Sequence, residues 1–170
     1  SGNIHGMPLA VALGIGEQRL VRLGGFAPKV HPENSALIGI RDVDREESET
    51  VKQFRNKGMQ VYTMTDVDKQ GVTRIIARVL NDFKNEVDHI HISFDLDGVD
   101  PDYASGVGTP VEGGLTYREA SVIMEMVADC GCMSSLEMLE VNPILDTKNS
   151  TAELAVDFVE SALGKSILYE

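Results

Sequence analysis

The chain has 170 residues, 42% of them hydrophobic and 25% charged, with a formal net charge of −12. That length supports a core of its own, and that balance is ordinary for a soluble globular protein. The acidic excess argues against a nucleic-acid surface, which needs clustered Lys and Arg, and no apolar run approaches the roughly 20 residues of a membrane span.

Residues 1–16 open with Ser-Gly-Asn-Ile-His-Gly-Met-Pro and continue through an apolar run to Gly14. Pro8 suits the first turn of a helix and Gly14 its end, which puts His5 in a glycine-flanked loop ahead of that helix. No secretory signal is expected in this opening. Residues 17–34 read as a connector containing Gly24, Gly25, Pro28 and Pro32. The pattern then alternates: a strand over 35–40, a helix over 46–57 stopped by Gly58, a strand over 59–64, and a long helix over 66–85. The long helix carries Val72, Ile75, Ile76, Val79, Leu80 and Phe83 on one stripe.

Residues 89–97 form the most informative strand. Ile90, Ile92, Phe94 and Leu96 alternate with His89, His91, Ser93, Asp95 and Asp97, the period-2 pattern of a pleated strand. His89 and His91 are expected to be satisfied core histidines. The irregular segment 98–115 follows; loops of that length in compact domains are usually functional. Thr116-Tyr-Arg-Glu119 has the form of a capping box opening a helix to about residue 129. A strand over 133–141 follows, and Ser150-Thr-Ala-Glu153 reads as a second capping box opening a last helix to about residue 163. Cys130 and Cys132 are expected to be reduced structural thiols of a cytoplasmic protein. Bridging residues so close is geometrically awkward, and no further Cys or His stands at zinc-finger spacing.

Strands alternating with helices predict one α/β domain over residues 1–170, with about four strands in a parallel sheet covered on both faces. Acidic groups then gather at one edge: Asp44 and Glu47 after the first strand, Asp95 and Asp97 on the third, Glu137 and Glu140 on the fourth. Two carboxylates one pleat apart repel unless compensated, and a hard divalent cation is the natural compensation. A solvated Asp-rich turn is the plain alternative. The segment contains no nucleophile elbow and no phosphate loop. An EF-hand fails as well: Asp100 stands where Gly is required and Gly106 where Glu is required. A carboxylate-lined cleft with one loop histidine suits activation of water against a cationic substrate.

Four motifs carry a resemblance: Ser-Gly-Asn-Ile-His-Gly-Met-Pro at residues 1–8, Ser93-Phe-Asp-Leu-Asp-Gly-Val-Asp-Pro101, the run Gly-Val-Gly-Thr-Pro-Val-Glu-Gly-Gly-Leu-Thr-Tyr-Arg-Glu over 106–119, and Glu140-Val-Asn-Pro-Ile-Leu-Asp146. Together they resemble the ureohydrolases, and the arginases among them, nearly end to end. The resemblance implies a three-layer α/β/α sandwich on a parallel sheet. It also implies hydrolysis of L-arginine to L-ornithine and urea with two manganese ions (Mn2+). By position, Asp95 and Asp97 resemble manganese ligands, and His5 the proton-shuttle histidine. Glu140 resembles the carboxylate that receives the guanidinium, and Thr109 a residue lining that end of the pocket. Ser1, Asn3, Asp44 and Glu47 resemble the group reading the α-carboxylate and α-amino ends of the substrate.

The family also supplies a Gly-Gly-Asp-His-Ser segment and an Asp-Ala-His-x-Asp segment, which carry the remaining metal ligands. Neither occurs in this sequence. The resemblance therefore implies a C-terminal portion that lacks the first strands of the sheet and needs the N-terminal segment for full activity. Agmatinase, another guanidino hydrolase, and a catalytically incompetent interaction module are the alternatives. Trimers or hexamers are the expected assembly, and uncovered strand edges favour association.

Overall fold

The computed structural model describes residues 3–168. The elements, in chain order, are α1 (Pro8–Ala12), α2 (Gln18–Val21), β1 (Ala36–Ile40), α3 (Arg45–Arg55), β2 (Gln60–Thr63), α4 (Met64–Gln70), α5 (Val72–Lys84), β3 (Ile90–Asp95), α6 (Tyr117–Cys130), β4 (Met133–Leu139) and α7 (Ser150–Ala162), with short 3-10 turns between them. The expected alternation is present, but the sheet is not continuous. β1 pairs with β2 and β3 with β4, giving two two-stranded sheets among the described residues.

The chain divides into two compact units: residues 1–37 with 45–61, and residues 38–44 with 62–170. In the first unit Phe54, Met59 and Val61 are buried, with Leu13, Leu37 and Val51 packed against them. Phe54 comes from the inner face of α3. Gly58 then reverses the chain at φ 103 so that Met59 and Val61 return to the same cluster. The segment read as a plain connector holds α2 and two 3-10 turns.

In the second unit, β3 and β4 are parallel, with Ser93 opposite Glu137 and Asp95 opposite Leu139. α5 buries Val72, Ile75, Ile76, Val79, Leu80 and Phe83, the stripe that the 3.6-residue period requires. α6 buries Ile123, Met124 and Val127, and α7 buries Leu154, Ala155 and Phe158. Phe158 is fully buried, and its ring meets Phe94 of β3 edge-on at 5.5 Å between centroids. Burying an aromatic ring of this kind stabilises a fold by about 3 kcal/mol, and here it ties α7 to β3.

Several boundaries differ from the sequence reading for local reasons. The helix expected over 66–85 is two helices, because Gly71 adopts φ 81 between α4 and α5. Met64 begins α4 rather than ending β2, because Thr63 and Asp66 close a capping box. At α6 the Thr116–Glu119 capping box forms as expected, with Thr116 N–H donating to Glu119 Oε2 at 2.8 Å. At α7 it does not: Asn149 occupies the cap position in the left-handed region, and its side chain makes no cap bond. Asp146 serves instead, accepting from the Thr151 N–H at 3.0 Å and the Ala152 N–H at 3.1 Å.

The reading of Cys130 and Cys132 as free thiols is corrected. The two are joined in a disulfide, with Cα atoms 5.3 Å apart. Gly131, in the left-handed conformation at φ 63, folds the end of α6 back on itself and removes the geometric obstacle. His89 and His91 are likewise not core residues. Both are exposed, their Nδ1 atoms bonded to the hydroxyls of Ser134 at 3.0 Å and Ser135 at 2.8 Å. They share a polar face of the β3–β4 ladder with Ser93 and Glu137, where Ser93 donates to the Glu137 carboxylate at 2.8 Å. No helix of the described residues is long and apolar enough to cross a membrane.

Candidate functional site

The carboxyl end of β3 positions the first acidic group. The strand stops at Asp95, and a 3-10 turn follows over Leu96–Gly98. The Asp95 carboxylate caps that turn, Oδ1 accepting from the Asp97 N–H at 2.8 Å. Leu96 between them is fully buried, so one apolar anchor holds two acidic side chains in place. The Asp95 carboxyl is pushed above its usual value, first by burial and further by the negative charges of Asp97 and Glu140. The Asp97 N–H and the Arg41 guanidinium act in the opposite direction.

Asp97 is satisfied on one side only. Its Oδ2 accepts from the Thr109 hydroxyl. Its Oδ1 is buried and has no hydrogen-bond partner. A buried carboxylate oxygen without a partner costs about 1–3 kcal/mol or more, and such an atom requires an explanation.

Glu140 follows β4 directly, with φ 66, a left-handed backbone that a non-glycine residue adopts at a cost of about 1–2 kcal/mol. Its Oε2 is 3.3 Å from where a side chain on Gly108 would begin, so the glycine-rich segment leaves room for this carboxylate. The loop itself is held from several directions. Arg41 donates to the backbone carbonyls of Asp97 at 2.6 Å, Gly98 at 3.3 Å and Val111 at 2.7 Å. Asp100 accepts from the N–H groups of Asp102, Gly113 and Gly114, which together hold its carboxyl below the ordinary range. Gly106 donates to the buried Thr151 hydroxyl at 2.8 Å and accepts from the Asn142 N–H at 2.8 Å.

The second unit thus brings together Asp95, Asp97, Thr109 and Glu140. Asp44 lies in the same unit, exposed, just ahead of α3. Asn3, His5 and Glu47 belong to the first unit. Asn3 precedes the 3-10 turn Ile4–Gly6, His5 is exposed within that turn, and Glu47 is exposed in the first turn of α3. Ser1 lies outside the described residues.

Arg41 is the group that sequence reasoning passed over. Its signal was a single cation directly after an apolar strand, ahead of an acidic run. Among the described residues no three His, Cys, Asp or Glu side chains converge as a metal-holding set. Asp95 and Asp97 offer the hard oxygen donors a divalent ion takes, and the unpartnered Oδ1 of Asp97 fits that use. Two carboxylates by themselves are fewer oxygen donors than such an ion takes.

Comparison with known proteins identifies the family of the chain. The model of the arginase family matches residues 1–164. The arginase of Bacillus subtilis is 54% identical over 168 residues, covering 99% of this chain and 55% of the relative. The structure of Bacillus caldovelox arginase superposes with a TM-score of 0.94 at 48% identity, covering 99% of this chain and 55% of that one. The arginase of Entamoeba histolytica superposes with a TM-score of 0.86 at 32% identity, covering 97% and 54%. The chain spans about 55% of the length of the curated Bacillus relatives it matches. Its fold is an arginase-like α/β fold, and the chain belongs to the arginase family.

Proposed function

We propose that this chain supplies the guanidinium-handling side of a manganese-dependent enzyme that hydrolyses L-arginine to L-ornithine and urea. The observation that carries the reading is the Asp95–Asp97 pair, one carboxyl raised by burial and the other with a buried oxygen lacking a partner. The buried Asp97 oxygen lies beside a second carboxylate, and a hard divalent cation is the natural compensation for that pairing. Manganese, when bound, supplies the Lewis acidity that makes water nucleophilic at neutral pH. Asp95 and Asp97 would supply two of the carboxylates that hold it, and Thr109 keeps Asp97 oriented. Glu140 receives the substrate guanidinium as a charge-assisted pair. His5 moves the proton to the leaving amine, a task suited to imidazole. Ser1, Asn3, Asp44 and Glu47 read the α-carboxylate and α-amino groups.

Two carboxylates are too few for a two-ion site, so residues beyond this sequence complete it. The share of the relatives that this chain covers supports that reading. The arginase of Entamoeba histolytica was solved in complex with L-ornithine, which supports an amino-acid product. We place the assembled enzyme in the cytoplasm as a trimer or hexamer. Exposed apolar side chains such as Ile144, Val156 and Leu163 support association.

The test pairs this chain with the segment of Bacillus subtilis arginase outside the matched residues, with manganese present, and measures urea and ornithine. Arginine-dependent urea release that Asp97→Asn abolishes supports the proposal. Stoichiometric manganese without urea from arginine refutes it, and preferential turnover of agmatine moves the assignment to agmatinase.

A further inference from the structure

Cys130 is the last residue of α6, and Cys132 stands one position before β4 begins at Met133. Gly131 between them is the left-handed cap of the helix. This turn sets the two Cα atoms 5.3 Å apart, within the span a disulfide requires, and the bond is formed. Both cysteines are only half-buried and Gly131 between them is exposed, so the turn lies at the surface. Neither belongs to the carboxylate cluster at Asp95 and Asp97.

The closed loop is only three residues long. Restricting so short a loop removes little freedom from the unfolded chain, so folding reinforces this bond far less than it would one closing a long loop. A disulfide with weak reinforcement and solvent access is the kind that exchanges, whereas structural disulfides are buried and resist reduction. The same turn keeps the two thiols close after reduction, because the Gly131 cap is held by backbone bonding, its N–H donating to the Ala128 carbonyl at 3.0 Å. Closure within the chain therefore competes well against capture of either thiol by an outside partner.

We propose that Cys130-Gly131-Cys132 is a reversible dithiol–disulfide site that exchanges with low-molecular-weight thiols and disulfides. In the reducing direction the thiolate of a small thiol attacks one sulfur of the bond. The other sulfur departs as a thiolate and takes up a proton. A second small thiolate then attacks the mixed disulfide, freeing the remaining cysteine, which is protonated in turn. Two protein thiols and one small-molecule disulfide result: the protein pair gains two electrons and two protons, and two small thiols are oxidised. Oxidation runs the same steps backwards, with a small disulfide as the electron acceptor. The site is independent of the arginine-hydrolysing reading and stands or falls separately from it.

The experiment equilibrates the folded chain in buffers spanning reduced to oxidised glutathione, traps free thiols with N-ethylmaleimide and reads intact mass, with circular dichroism confirming the fold. The expected result is one transition from two alkylated thiols to none, with singly alkylated chains remaining minor. Cys132→Ser should leave Cys130 to accumulate as the glutathione mixed disulfide in the oxidising buffers. Two alkylatable thiols in every buffer would overturn the proposal. So would a bond that persists in the most reducing buffer while the chain stays folded, or oxidation that joins chains to one another instead of closing the turn.

Discussion

Arg41 holds the peptide carbonyl of Asp97 through a 2.6 Å bond from Nη2, so a cation at the end of β1 fixes the backbone of an acidic residue that has one carboxylate oxygen buried without a partner. The same guanidinium also reaches the carbonyls of Gly98 and Val111. Replacing it by Met leaves these acceptors without a donor. The expected cost is about 2–3 kcal/mol in chemical denaturation, with faster amide exchange over residues 97–112. Arg41→Lys should recover less than half, because an ammonium lacks the planar fork that spans several carbonyls. Unchanged exchange in Arg41→Met would refute this role.

The Thr109 hydroxyl is the hydrogen-bond donor to the Asp97 carboxylate. Removing it with Thr109→Val frees the side chain to rotate. In the complete enzyme, manganese affinity should fall about 10–100-fold, the usual cost of losing a group that orients a ligand. Thr109→Ser keeps the hydroxyl and should stay near the parent value. Titration with manganese followed by calorimetry gives both numbers, and equal affinities for the Val and Ser variants would contradict the prediction.

Gly106 has no room for a side chain. A Cβ there would stand 2.5 Å from Asp146 Cβ and 2.7 Å from its Cα. Gly106→Ala must therefore push the 106–110 loop away from the α7 cap, with an expected loss of at least about 1–3 kcal/mol. Gly113 has open space on the same loop but a φ of 78. Gly113→Ala should cost only about 1–2 kcal/mol, through backbone strain alone. Thermal melts of the two variants side by side separate crowding from strain.

Asp100 links stability to pH. Its carboxylate accepts three backbone N–H bonds, and its folded pKa lies below the ordinary value. A depressed folded pKa means the ionised form is the one the fold favours. The contribution is therefore complete above the usual carboxylate range near pH 4 and disappears as pH falls through the lower folded value. Asp100→Asn should melt at a lower temperature than the parent at pH 7, with the gap closing on acidification. A gap that widens towards low pH would reverse the sign of the argument.

Much of this was legible from residues alone, and the reasons are local. The stripe on α5 shows because a helix repeats every 3.6 residues, and the Thr116–Glu119 box shows because its bonds join neighbours in sequence. Asp95 shows because alternation along a strand assigns faces without any knowledge of partners, whereas Asp97, expected on the same strand, stands in the 3-10 turn beyond its end. Where a left-handed backbone intervened, sequence reading faltered: Gly71 split one expected helix into two, Gly131 let Cys130 meet Cys132, and Asn149 took the position ahead of α7 while Asp146 supplied the capping bonds.

By itself the sequence determined the main alternation of strands and helices, the acidic character of the strand ends and the resemblance to one family, since each depends on contacts within a few residues or on matching a linear pattern. Only the tertiary structure decided that Arg41 clamps the loop from 56 to 70 residues away, that Asp146 and not Ser150 caps the last helix, and that one Asp97 oxygen is buried without a partner. Those outcomes depend on where distant backbone carbonyls and N–H groups come to rest, and the packing of elements sets that where no linear spacing records it.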